Sequence, residues 1–198
     1  MTGTAKILKY VAFTAMVLFG VFGGLFVAGY AFEDLSTWAA IGSTAAWLVP
    51  TVVLCLLALT RFSAVPTVFV VLTGLVAAFT LLDSSVNLVN RDALGPVAAI
   101  GVFALGVSLA FLGLRETALA GLLLVVLGVV QLAATAIGFI GEWQDGGGPG
   151  LRALLTTSSG VIVLPLLVVG ALFLIAGGLA HQSLRFWHHL PPAAHAAH

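Results

Sequence analysis

Six stretches of this chain, about 7–32, 38–60, 64–82, 94–114, 117–141 and 157–181, run for 18 residues or more with few or no charges. An α-helix rises about 1.5 Å per residue, so each stretch wound as a helix reaches across the roughly 30 Å hydrocarbon core of a bilayer. A soluble domain of this size would need polar faces on its helices, and most of these runs have none. Composition agrees: 7% of the residues are charged and 61% hydrophobic, against roughly 25% and 45–50% in soluble domains. The expected fold is an all-α integral membrane protein, a bundle of six transmembrane helices with short loops. Residues 1–184 form the membrane domain, and 185–198 form a short cytoplasmic tail.

The breaks between spans have local causes. They are Glu33-Asp34 with Ser36 or Thr37 as a cap, Arg61 followed by Pro66, Gly95-Pro96, Arg115-Glu116, and the glycine-rich run 144–150. The first run follows Lys6 and Lys9 but exceeds the 7–15 residues of a secretory h-region, so an uncleaved first span is expected. With the N-terminus placed in the cytoplasm, Lys6, Lys9, Arg61, Arg115 and Arg185 fall inside, against Arg91 and Arg152 outside. That bias predicts a multi-pass protein of the cell membrane, of bacterial inner-membrane type, with both termini cytoplasmic. Trp38, Trp143 and Trp187 fall at span ends, where an indole sits well among headgroups, whereas Trp47 lies two turns deep and reads as a packing residue.

Two polar stripes enter the membrane from the external side. At 100° per residue, Thr73, Thr80, Asp83, Asn87 and Asn90 share one arc, which extends the third helix toward residue 90. In the fifth span Gln131, Thr135 and Glu142 follow a second arc with Gly128 and Gly138. One reading is an outward-facing polar crevice between spans three and five, with Asp83, Asn87, Asn90, Gln131, Thr135 and Glu142 as candidate lining. The other is that these groups hydrogen-bond one another as interhelical contacts. Helix packing is expected at Gly20-x-x-x-Gly24-x-x-x-Ala28 and at Ala134-x-x-x-Gly138, where small residues let backbones approach. Gly20, Gly74 and Gly128 are evenly spaced and raise a repeat of three hairpins, although such coincidences arise readily in a chain rich in glycine.

Several function classes lack carriers. No Asp, Glu, Lys, Arg or His falls in the middle of a predicted span, so a proton relay or charged ion path has no obvious vehicle. Every histidine lies at or after position 181, away from the polar stripes. No nucleophile with an orienting base, no haem ligand and no defensible metal pattern results, and neither catalysis nor a cofactor is expected. The net charge is zero with no run of Lys or Arg, which argues against nucleic acid and against a basic segment gripping an anionic surface. Cys55 is the sole cysteine and reads as a small core hydrophobe. Pro50 and Pro165 fall near the middles of two spans and predict static bends, with Thr51 near the first to help satisfy freed backbone groups.

In size, six spans and cytoplasmic termini the chain is similar to the substrate-binding components of energy-coupling-factor vitamin transporters. The similarity is one of architecture, and no motif transfers residues. The leading expectation is a non-catalytic accessory or scaffold subunit of a membrane assembly. Its partners would be the lipid bilayer and other membrane subunits or further copies of itself. The alternative is a transport component that binds a small solute in the crevice.

Overall fold

The computed structural model describes residues 3–31, 36–60, 62–86, 91–143 and 158–188. These form six helices and, among the described residues, no strand: α1 (Gly3–Ala31), α2 (Thr37–Leu59), α3 (Val65–Val86), α4 (Arg91–Gly113), α5 (Thr117–Trp143) and α6 (Ser158–His188). Among the described residues, five helices contain stretches long and apolar enough to cross a membrane: Gly3–Val27, Ala40–Leu59, Val65–Leu82, Thr117–Ile137 and Ile162–Ala180. In helix α4 the apolar stretch among the described residues is Ile100–Gly113.

Local chemistry sets several ends. Pro66 is the second residue of α3, where a missing N–H costs nothing. Ser36 occupies the cap position of α2 and accepts Ala40 N–H on its carbonyl at 2.9 Å, but its side chain makes no capping bond. Between α4 and α5 the chain turns in three residues. Arg115 and Glu116 N–H both donate to the Leu112 carbonyl, and the Glu116 carbonyl accepts from Ala120 N–H at 2.9 Å, starting the next helix. An acid at that position complements the positive end of the α5 dipole. The expected break at Gly95-Pro96 is not one: both residues lie within α4, which starts at Arg91. So near a helix start, proline removes at most one intrahelical bond.

Helices α1, α4, α5 and α6 close a ring, with α1 on α4, α4 on α5, α5 on α6 and α6 on α1. Phe13 meets Phe111 edge-on with centroids 5.1 Å apart, and Phe19 meets Phe103 at 5.4 Å, so α1 and α4 run antiparallel. Met16, Leu109, Leu112, Leu124, Leu127, Leu166 and Phe173 are fully buried among these four helices. The other two lie outside. Helix α2 packs chiefly along α4, parallel to it as the Cys55–Ser108 and Leu59–Arg115 contacts show, and α3 packs along α5, meeting it at Thr80 and Gln131.

Close approach comes from glycine. A Cβ on Gly121 would stand 2.8 Å from the Gly170 carbonyl oxygen, and one on Gly170 would stand 3.0 Å from that of Gly121, so the α5 and α6 backbones touch. Gly128 and Gly177 continue the contact against Leu167 and Ala118. Both pairs are seven residues apart, which returns glycine to the same helix face. The expected face on α1 is also used: Gly20 meets Val107 and Phe103, and Gly24 meets Trp47 and Phe103, which places Trp47 in packing as predicted. Ala134 is buried on α5. The environments of Ala28 and Gly138 lie outside what is described. A Cβ on Gly74 would meet nothing within 4 Å, unlike one on Gly20 or Gly128. The three evenly spaced glycines therefore do not hold equivalent places, and the three-hairpin repeat loses its anchor.

Candidate polar seam between two helices

The third and fifth helices meet along their polar arcs. Gln131 Nε2 donates to Thr80 Oγ1 at 3.4 Å, a long bond. Thr80 gives its own hydroxyl proton to the Val76 carbonyl at 2.8 Å, and Thr135 gives its proton to the Gln131 carbonyl at 2.8 Å. A threonine has one proton. With the Thr80 proton committed to the backbone, its oxygen can only accept from Gln131, which fixes the amide with its nitrogen toward Thr80. The Gln131 side-chain oxygen then faces elsewhere and has no partner among the described residues. Gln131, Thr80 and Thr135 are each half-buried, and the 14 residues from the start of α5 set Gln131 about 21 Å along the helix.

The sequence-derived candidates separate into three groups. Gln131 and Thr135 lie in the seam, with Thr80, from the same arc as Asp83, as the cross-helix partner of Gln131. Asp83 and Glu142 lie within α3 and α5, but their side chains are outside the described set. Asn87 and Asn90 lie outside the described residues, so helix is seen to Val86 and not to residue 90. A separate shallow groove on α3, lined by Thr67, Val68, Val71, Leu72 and Leu75, is apolar and takes no part in the seam.

Other buried polar groups serve the helices. Ser108 is fully buried, bonds the Ala104 carbonyl at 2.8 Å and stands 3.8 Å from Cys55 Sγ, linking α4 to α2. Cys55 is thus half-buried at a helix contact. Thr51 bonds the Trp47 carbonyl at 2.7 Å, whereas Pro50 frees the Ala46 carbonyl, so the expected rescue by Thr51 falls one residue away. Thr73 Oγ1 and Trp47 Nε1 are buried without a partner among the described residues. Among the described residues no cluster of three metal-ligating side chains occurs, and His189, His195 and His198 lie outside them.

Among the described side chains the seam offers neutral donors and acceptors only. It suits interhelical recognition or the orientation of an uncharged group, and it supplies no acid, base or nucleophile from the described side chains. Comparison of the chain with protein-family models, curated proteins and solved structures gave no match.

Proposed function

We propose that the chain is a non-catalytic six-span membrane protein with both termini in the cytoplasm, acting as an accessory or scaffold subunit of a membrane assembly. The observation that supports this reading is the place of α2. Only 6% of its apolar span is buried, against 39% of that of α5. Leu48, Val49, Val52, Val53 and Leu56 all face away from the bundle. A helix outside a closed ring gives a neighbouring subunit a full-length face without disturbing the fold. With Cys55 replaced by Ser, single cysteines at Val52 and Leu56 should cross-link in native membranes to a neighbouring protein, and one at buried Ala58 should not. Purification with neither a stable partner nor self-association would count heavily against the reading. A cysteine at Thr4 should label from the cytoplasmic side alone.

A second reading, a transport component that binds a small solute from outside, draws support from Gln131, whose side-chain oxygen is unpartnered among the described residues. Solute binding that survives Asp83→Ala combined with Gln131→Ala would remove the seam from consideration.

A further inference from the structure

The sequence scatters its few cations, and the fold gathers three of them at one end. Lys9 Nζ donates to the Leu114 carbonyl at 3.2 Å, just past the end of α4. Arg115 donates from Nη1 to the carbonyl of Leu59, the last residue of α2, at 3.4 Å. Lys6 stands three residues before Lys9 on α1 and is exposed. Each hydrogen bond ties a cation to a helix C-terminus, whose partial negative charge it offsets. These ties fix where the charge sits while leaving most of its donors unused: an ammonium carries three N–H groups and a guanidinium five. Glu116 is the acid nearest in sequence, and among the described residues it pairs with none of the three.

The surroundings are those of a headgroup layer. Lys9 Nζ lies 5.5 Å from the centroid of the Tyr10 ring, and Tyr10, Ile7 and Phe62 are all exposed. Aromatic rings at this depth sit between headgroups and acyl chains. Exposed apolar side chains beside fixed cations suit an amphiphile, because a soluble anion gains nothing from them. We propose that this end of the bundle binds the phosphate of an acidic phospholipid of the adjoining leaflet, with Lys6, Lys9 and Arg115 as donors and the outer face of α1 along its acyl chains. The site is independent of the subunit and transport readings.

The test uses the full chain, purified in an uncharged maltoside detergent, with bound lipid counted by native mass spectrometry and stability followed by thermal unfolding. Phosphatidylglycerol should bind saturably and raise the unfolding midpoint, while phosphatidylcholine and inorganic phosphate should do neither. Each neutralised cation should weaken phosphatidylglycerol binding about fivefold, the effect of one Lys or Arg near an anionic surface. Lys6→Gln is the primary variant, because Lys6 is exposed and makes no described contact that folding would miss. Arg115→Gln added to it should deepen the loss, and Arg91→Gln on another helix end should leave binding unchanged. Equal binding of phosphatidylcholine, stabilisation by inorganic phosphate alone, or undiminished binding by Lys6→Gln and by the double variant would each overturn the proposal.

Discussion

Helices α2 and α4 are similar in length and both strongly apolar, yet over the described side chains α4 is the most enclosed helix and α2 among the least. From Val102 to Gly113 nearly every residue of α4 is buried, whereas α2 buries little beyond Thr51 and Ala58. Hydrophobicity does not separate them. In a bilayer the lipid tails solvate leucine as well as another helix does, so burial follows shape. In helix α4 Gly106 receives Met16 and Gly113 receives the Phe173 ring, while a Cβ on Gly42 of α2 would meet nothing within 4 Å. A small residue marks a buried helix only where a neighbour fills the space it leaves.

The contrast can be broken at several points. The largest effect should come from Gly121→Leu, which drives a side chain into the α6 backbone. Overpacking of about 3 kcal/mol is expected, and reversible unfolding in mixed micelles should show it or show no folded protein. Leu109→Ala in α4 should follow, at about 2 kcal/mol, near the low end for buried leucine because lipid removes most of the transfer contribution. Gln131→Leu should cost about 0.6 kcal/mol, the average for a polar interhelical contact in a membrane. The smallest change is expected for Leu56→Ala on α2, within about 0.5 kcal/mol in detergent. If Leu56→Ala matched Leu109→Ala in the isolated protein, the division into ring and flank would be wrong.

Much of this architecture is legible in the sequence because hydrocarbon imposes it. Run length alone locates the helices, with α2 beginning and ending within a residue of expectation. The polar arcs on α3 and α5 are legible for the same reason, since helical periodicity places Thr80 and Gln131 on single faces before any contact is known. Which helices touch is not legible. A search for glycines four apart passes over Gly121, Gly128, Gly170 and Gly177, although their seven-residue spacing is in plain view. Asp83 drew attention by its charge, while Thr80, one turn deeper, meets Gln131. Charge reports what a residue costs in lipid, and contact depends on the depth at which two helices cross. The basic end shows the same limit: Lys9 and Arg115 are far apart in the chain and come together only through the pairing of α1, α2 and α4.

The closed ring also dictates an order of events during synthesis. Of the six helices α1 leaves the ribosome before the others, but its neighbours in the ring are α4 and α6. It must therefore wait in the bilayer while α2 and α3 are made and set aside, and the ring cannot close until the last helix has entered. A nascent chain halted before α6 holds the glycine face of α5 open to lipid or to a wrong helix. That interval is when this protein is most exposed to mispairing and to any membrane-resident chaperone that recognises unpaired helices.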